Sequence, residues 1–599
     1  MTQRIVNDFS ITIATINGSG SQTANVTLLR ALFKMGIPVS GKNLFPSNIQ
    51  GLPTWYTIRL SKDGFIARRD EQEVVVNLNP ASFTRDLASV LPGGIFFYAD
   101  DSKLPITRSD ISVYPMPVKA LSRAANVSPS LRDYIANMVY VGVLAHTLGI
   151  DLGSIKQALD FHFKGKAEAV NSNFSTIEAG AKWAAENLKK TDPYFVKQMN
   201  GTSDFIMADG NTAAALGAIY GGVQFEAWYP ITPASSLAES LNVFLPQLRK
   251  RADGKRTYAV LQAEDELAAI GMAVGAGWAG LRSMTSTSGP GISLMTEYAG
   301  LAYYTEVPIV VWDVQRVGPS TGLPTRTAQG DLTGVYFLGH GDTQHIILLP
   351  GSVQECFEFG WKAFDLAERL QMPVFVLSDL DLGMNQWMTK PFDYPDVPMD
   401  RGKVLWEADL EKLNGIWARY KDVDGDGIPY RTVIGNHHPA AAYFTRGSGH
   451  DENARLTEEG KPWEANLARL KHKYDTARTL VPKPVIQKTK GATVGIIAYG
   501  SSVPAVEEAR VLLKQDKGPG TDFLRLRALP CTAEVFNFIR KHERIYIVEA
   551  NRDGQLRQIL SMAMPDQANK FRSAAHNDGL PLTAKWVKDT ILTLEKKIK

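Results

Sequence analysis

The sequence predicts an α/β protein built from several doubly wound domains. Three observations carry that prediction. Apolar, strand-like runs end repeatedly in short loops of Gly, Ser, Thr and Pro. The order strand, tight turn, helix recurs at both ends of the chain. Its 599 residues, 44% of them hydrophobic, are enough for roughly four domains of about 150 residues each. Small residues at strand ends let backbone N–H groups approach a ligand, and in open α/β sheets such loops mark the binding crevice.

The first element is Phe9 to Ile16 (FSITIATI), an alternating apolar strand, followed by Asn17-Gly18-Ser19-Gly20-Ser21-Gln22 and a helix-like run from Thr23 to Phe33. The turn approximates a dinucleotide fingerprint, but Thr23 stands where the third glycine belongs and no acidic strand end follows at the usual distance. A tight β-to-α turn is the better reading. A helical region from Leu131 to Phe163 closes the segment, with Asp151 placed to cap the helix after the Leu148-Gly149 stop. Lys189 to Ser203 is polar, contains a Pro and a Gly, and reads as a linker, so the first domain is expected over 1–195.

A second α/β domain is expected over 196–387. In it YPITPAS (Tyr229 to Ser235), QAEDELAAIGMAVGAG (Gln262 to Gly277), TSTSGPG (Thr285 to Gly291) and VQRVGPSTGLPT (Val314 to Thr325) share one layout and read as half of an active site. Glu264, Asp265 and Glu266 open a helical stretch in which Gly271, Gly275 and Ala279 recur every four residues, a face that permits close packing. Acids there complement a helix dipole. Yet the triplet follows the strand Thr257 to Leu261 and precedes a helix too apolar and glycine-rich to lie exposed, so at least one carboxylate is expected to face a crevice. Arg316 follows the apolar strand Pro308 to Val314 and heads a loop stiffened by Pro319 and Pro324, with Ser320, Thr321, Thr325 and Thr327 as nearby hydroxyls. An exposed ion pair at Arg316 would contribute at most about 1 kcal/mol. A rigid guanidinium fork suits a substrate carboxylate better.

Residues 388–488 lose clear periodicity and read as an irregular insert. Inside it, Asp422 to Gly427 (DVDGDG) matches the first half of a calcium loop, but position twelve falls on Val433, which favours a turn braced by Asp side chains. Gly425-Asp426-Gly427 with Asn453 also mimics a thiamine diphosphate magnesium signature, without the apolar strand that should lead into it. The last domain, 489–599, opens with the buried-type strand Ala492 to Tyr499 and turns at Gly500-Ser501-Ser502 into a helix with Pro504 near its first position. The strands Asp522 to Leu529 and Arg544 to Glu549 then flank the helical run Thr532 to Lys541.

Composition excludes several partners. Lys plus Arg number 65 against 62 Asp plus Glu, a formal charge of +3, with no run of five like charges, which disfavours nucleic acid. MTQRIVNDFS has no secretory apolar core, and Ala268 to Leu281 is short and glycine-rich for a membrane span, so a cytoplasmic protein with no membrane partner is expected. Cys356 and Cys531 are the only cysteines, whereas a cubane cluster needs four thiolates, so iron–sulfur chemistry would have to come from another chain.

In this order, YPITPAS, the QAEDE helix start, TSTSGPG, VQRVGPSTGLPT with Gln329-Gly330-Asp331-Leu332, and EANRDGQL (Glu549 to Leu556) resemble the alpha subunit of 2-oxoacid:ferredoxin oxidoreductases. The 2-oxoglutarate synthase type, with a gamma-type catalytic domain fused ahead, is the most similar. The resemblance implies a gamma-type domain at 1–195, a thiamine diphosphate pyrimidine-binding domain at 196–387 and a transketolase C-terminal-like domain at 489–599. It implies reversible conversion of 2-oxoglutarate, coenzyme A and oxidised ferredoxin to succinyl-coenzyme A, carbon dioxide and reduced ferredoxin, as carbon dioxide fixation in a reductive TCA cycle requires. Thiamine diphosphate with Mg2+ and a [4Fe-4S] cluster would sit mainly on a beta subunit, in a dimer of heterodimers. By the same resemblance Glu266 is the catalytic carboxylate facing the pyrimidine N1′, with Pro230 and Ile231 beside the cofactor; Thr232, Arg316 and Thr325 bind the oxoacid, and Glu264 is the second candidate acid. Pyruvate or another 2-oxoacid as substrate, or a non-redox thiamine-dependent transferase, stay open as alternatives.

Overall fold

In the computed structural model, which describes residues 4–46, 51–102, 104–124 and 131–597, the first alternating run becomes the strand Asp8–Ile16, buried along nearly its whole length. It is covered on both faces, as a central strand must be to bury such a run. Gly20, at φ +77°, turns the chain into the helix Ser21–Lys34. The strands lie in the order Val39–Leu44, Pro53–Ser61, Asp8–Ile16, Gln72–Asn77, Val90–Ala99, Ser112–Met116. The first three pair antiparallel and the rest parallel, so the sheet is mixed. The helices Met138–Leu148, Leu152–His162 and Ala167–Asn187 pack beside it, and Asp151 caps the second by accepting from the Ser154 N–H at 2.6 Å. These elements belong to a unit of Met1–Met207 with the short returns Asn385–Pro391 and Thr583–Lys585.

The stretch Lys189 to Ser203, expected as a linker, is instead a packed strap. Tyr194–Phe195 pairs in parallel with Ile5–Val6, and the buried Asp192 carboxylate accepts from the Tyr114 hydroxyl at 3.0 Å and Lys190 Nζ at 2.6 Å. Its polar residues satisfy one another inside the fold, which composition alone does not reveal.

The second unit, Ala208–Met384, Phe392–Leu582 and Trp586–Lys599, holds two sheets. The larger has seven strands in the order Ala259–Gln262, Phe225–Trp228, Ser283–Thr287, Ile309–Gln315, Pro373–Asp379, Ile346–Leu348, Ala528–Leu529. All neighbours are parallel except the last pair. The smaller has five, in the order Val485–Gln487, Thr521–Arg525, Val494–Ala498, Arg544–Glu549, Phe571–Ala575, with only the first antiparallel. One apolar core, from Ile270 and Val311 to Ile497 and Ile547, runs between them. The single strand expected at Asp522 to Leu529 is divided. Arg525 and Arg527 both turn to the buried Glu355, at 3.0 and 2.5 Å, and beyond that kink Ala528–Leu529 crosses to the larger sheet. Among the described residues no helix is long and apolar enough to cross a membrane.

Residues 388–488 are largely irregular, as expected, but contain the 18-residue helix Gly460–Ala477. Its buried face carries Asn466 and Lys473 beside Leu470 and Tyr474, so apolar periodicity cannot report it. Charge docks it instead. Glu306 is fully buried and accepts from Arg469 and from Lys473 Nζ (2.5 Å), while Arg419 donates to the Glu306 carbonyl at 3.0 Å. In the DVDGDG turn, Asp422 accepts from the N–H groups of Gly425 and Gly427, and Asp424 and Asp426 pair with Lys403 at 2.7 and 2.8 Å, which makes it a braced turn.

Burial alone would raise the Glu306 pKa, but Arg469, Lys473 and Arg419 overcome it and hold the group at about 2. Glu306→Gln leaves those cations without a counter-charge and is expected to cost roughly 3–5 kcal/mol, read as a lower urea midpoint. Because the folded value lies below the ordinary 4.5, the charge contribution is complete above pH 4.5 and is lost as pH falls towards 2. The difference between wild type and variant should narrow over that window.

Candidate active site at the crevice of the seven-stranded sheet

From Phe225–Trp228 the chain passes outward to Ala259–Gln262, then returns to Ser283–Thr287 on the other side of the first strand. Strand order reverses there, and loops leaving the carboxyl ends diverge to open a crevice. YPITP leaves the first strand, Ala263 to Asp265 the second and Ser288 to Gly291 the third.

Asp265 is extended at φ −159° and caps the helix Glu266–Trp278 by accepting from the Ala268 N–H at 2.7 Å. That cap spends Asp265 on structure. Glu264 and Asp265 are exposed, whereas Glu266, the first helical residue, is 6% exposed. A Cβ on Gly291 would lie 2.0 Å from Thr287 Oγ1 and 2.8 Å from Glu266 Cγ, so the TSTSGPG loop can receive the Glu266 stem only through a glycine. The helix buries Glu266, Ala269, Ile270, Ala273, Val274 and Gly277; on the expected glycine face Gly271 packs closely, a Cβ there lying 3.0 Å from the Tyr298 ring, whereas a Cβ on Gly275 would meet nothing within 4 Å.

Arg316 follows the buried strand Ile309–Gln315 and is 8% exposed. Its Nη1 donates to the Thr232 carbonyl at 2.8 Å, while its buried Nε has no partner. Burial lowers the Arg316 pKa, and the charges of Asp331 and Glu266 push it back up. A guanidinium stays charged at any working pH. The anchor is therefore a carbonyl, not one of the expected hydroxyls. Thr325 Oγ1 accepts from Arg326 at 3.0 Å, and Thr327 donates to Asp379 at 3.1 Å. The loop closes on itself, Val317 N donating to Arg326 O and Leu323 N to Val317 O. Thr232, Glu266 and Arg316 thus meet around the crevice. Pro230 is exposed and Ile231 closes the same turn, its carbonyl accepting from Ala234 N at 2.8 Å; Thr325 stands at the far end of the Arg316 loop.

Sequence reasoning missed three buried carboxyl groups beneath these residues. Glu226 is fully buried, accepts from Ser286 Oγ at 2.9 Å, and is pushed up to about 8 by burial, so it is neutral at pH 7. Asp313 and Asp331 form a side-chain pair, and Asp331 lies over Gly289, where a Cβ would be 2.7 Å from its Oδ1. The signal for Asp313 was a lone acid inside IVVWDVQ, a fully buried strand.

Gln329 fixes the loop that follows. Its backbone N–H donates to Ala550 O at 2.8 Å and its carbonyl accepts from Asn551 at 3.0 Å. Its Oε1 accepts from Ser502 and the Ala550 N–H, and its Nε2 donates to Tyr499 O at 2.9 Å.

Comparison with known proteins gives the family. The family model described as "Pyruvate flavodoxin/ferredoxin oxidoreductase, thiamine diP-bdg" matches residues 216–393, and "Pyruvate ferredoxin/flavodoxin oxidoreductase" matches residues 10–183. The 2-oxoacid:ferredoxin oxidoreductase 2 alpha subunit of Aeropyrum pernix is 29% identical, over 92% of this chain and 92% of that protein. The 2-oxoglutarate synthase subunit KorA of Methanothermobacter thermautotrophicus is 34% identical, over 57% of this chain and 86% of that one. The solved 2-oxoglutarate:ferredoxin oxidoreductase from Magnetococcus marinus, with 2-oxoglutarate, coenzyme A and succinyl-CoA bound, superposes with a TM-score of 0.87 at 28% identity, covering 99% of this chain and 100% of that one. With a crevice of this build and relatives along almost its whole length, the chain belongs to the 2-oxoacid:ferredoxin oxidoreductase family of enzymes, as an alpha subunit.

Proposed function

We propose that this alpha subunit serves an enzyme that takes 2-oxoglutarate, coenzyme A and oxidised ferredoxin to succinyl-coenzyme A, carbon dioxide and reduced ferredoxin, and the reverse. The observation that carries the site reading is the Arg316 guanidinium, clamped at Nη1 by the Thr232 carbonyl and left with an unpartnered Nε, in the electrostatic reach of Glu266. The choice of 2-oxoglutarate is supported by the names of the KorA relatives and by the ligands of the Magnetococcus marinus structure.

The residues present fit the pyrimidine end of thiamine diphosphate. Glu266 offers a buried carboxylate on a glycine floor, and the buried hydroxyls of Thr285 and Ser288 are unpartnered on the same strand and its end. When bound, that cofactor supplies the electron sink for breaking the bond between the keto carbon and the carboxylate. Glu266 would hold a proton at the N1′ edge of the pyrimidine, with Pro230 and Ile231 forming the adjoining wall. Arg316 pairs with the C1 carboxylate, Thr232 keeps the fork oriented, and Thr325 steadies the far end of the loop. Burial of Glu266 and Arg316 excludes water and strengthens both contacts.

The diphosphate with its Mg2+ and a [4Fe-4S] cluster belong, in this reading, to a beta subunit. Cys356 and Cys531 are both buried, and burial pushes each thiol up, Cys531 to about 12, which suits core packing and not metal ligation. The exposed apolar residues Leu261, Leu267 and Met272, on the edge strand and the outer face of the Glu266 helix, form the surface against which that subunit would close.

Co-expression with the beta subunit and a viologen-reduction assay over a panel of 2-oxoacids with coenzyme A tests the substrate; a preference for pyruvate sinks that part. Glu266→Gln is expected to lower kcat by about 10²–10⁴-fold at saturating cofactor. Near wild-type turnover would remove Glu266 from the mechanism. Arg316→Lys, which loses the fork but keeps the charge, should raise KM for the oxoacid about tenfold or more with a smaller change in kcat. In Gly291→Ala the new methyl group, 2.0 Å from Thr287 Oγ1 and 2.8 Å from Glu266 Cγ, displaces both side chains, and activity should drop roughly tenfold or more with some loss of thermal midpoint.

A further inference from the structure

Two sequence motifs, QGDL at Gln329 to Leu332 and EANRDGQL at Glu549 to Leu556, take no direct part in the chemistry above, yet the fold brings them together. Glu549 ends a strand of the smaller sheet and is wholly buried; its carboxylate accepts from Asn551 Nδ2 at 2.7 Å and from the Leu556 N–H at 2.8 Å. Asn551 Oδ1 accepts in turn from the Gly554 N–H at 2.8 Å. Gly554, at φ +68°, makes the left-handed turn that starts the helix Gln555–Ala563. Gln555 is therefore presented from a rigid base.

Its carboxamide closes on the other motif. Nε2 donates to the Gly330 carbonyl at 2.6 Å and Oε1 accepts from the Thr333 N–H at 3.0 Å, so the two bonds bracket Asp331. The Asp331 N–H donates to Gln315 Oε1 at 3.0 Å. Held at 330, 331 and 333, the aspartate cannot draw back, and its carboxylate lies against Gly289: a Cβ there would fall 2.7 and 2.8 Å from the two oxygens. Gly291 and Ile292 both donate to the Ser288 carbonyl, at 2.8 and 3.1 Å, which makes Gly289 and Gly291 parts of one turn. Glu266 rests on the far end of that turn, where a Cβ on Gly291 would be 3.2 Å from its Oε1.

We propose that Gln555 is a positioning residue for Glu266: it clasps Gly330 and Thr333, seats Asp331 on Gly289, and so sets the glycine turn on which the catalytic carboxylate rests. This rests on the reading of Glu266 given above. Arg316 is held independently, by the Thr232 carbonyl and by the bonds of Gln329. Loss of the Gln555 clasp should therefore lower turnover and spare oxoacid affinity.

In the assembled enzyme, Gln555→Met, of similar length but without the two hydrogen bonds, should lower kcat about tenfold and keep KM for 2-oxoglutarate within about twofold. Hydrogen exchange of the same variant, read by mass spectrometry, should quicken about tenfold or more over Gly289–Leu294 and stay unchanged in the strand Ile309–Gln315. A residue that only starts its own helix would quicken exchange in Gln555–Ala563 and not in the turn beneath Glu266. Asp331→Asn, equal in size, should keep kcat within about twofold, whereas Asp331→Ala, which empties the space over Gly289, should match Gln555→Met. Unchanged exchange over Gly289–Leu294 in Gln555→Met, an unchanged kcat, a loss that falls on KM instead, or equal losses in Asp331→Asn and Asp331→Ala overturn the proposal. Wild-type turnover in Glu266→Gln would instead overturn the reading of Glu266, which keeps the two failures apart.

Discussion

Both backbone groups of Gln329 and both ends of its carboxamide are engaged, and every partner lies on the strand ends of the smaller sheet: Tyr499, Ser502, Ala550 and Asn551. These bonds are short, buried and mutually oriented, so none can be exchanged for water without leaving another unmet. Gln329 stands between the Arg316 loop and Asp331, which makes it the fixed point for both. One end of the segment is set by the carbonyl of Thr232 and the other by a second sheet. A guanidinium on a loop has little orientation of its own; this one inherits it from two rigid supports.

The buried carboxyl groups of this unit show three solutions to one problem. Removing an ionised acid from water costs several kcal/mol unless the charge is answered. At Glu306 three cations answer it, and the acid stays charged. At Glu226 a single serine cannot, and the acid keeps its proton. At Asp313 and Asp331 burial pushes both acids up, Asp331 to about 6.

What could be read in advance follows from how each element is stabilised. The strand Asp8–Ile16, the Asp151 cap and the strand Val494–Ala498 rest on local apolar pattern or capping chemistry, and such signals are written in consecutive residues. That one acid of Glu264, Asp265 and Glu266 turns inward was legible because the triplet precedes an apolar, glycine-rich helix; only the family resemblance pointed to Glu266 among the three. The helix Gly460–Ala477 was not, since Lys473 on its buried face looks like a surface residue until Glu306 is known to face it. The strap at Lys189 to Ser203 hid for the same reason, its polar groups finding partners as distant as Tyr114. Arg316 was expected to lean on neighbouring hydroxyls but found a carbonyl from another strand end. Long-range polar pairing leaves no periodic trace.

The two-residue strand Ala528–Leu529 completes the far edge of the seven-stranded sheet by pairing with Ile346–Leu348. On the ribosome these partners do not emerge together. After residue 348 the chain must be extended to residue 528, and at about 5–20 residues per second that interval lasts roughly 10–40 s. Even once Pro373–Asp379 has paired with it, Ile346–Leu348, a wholly apolar strand, keeps one row of backbone groups unpaired until that interval ends. The sheet that carries the crevice is thus finished only by a segment made long after its other strands, beyond the irregular stretch 388–488.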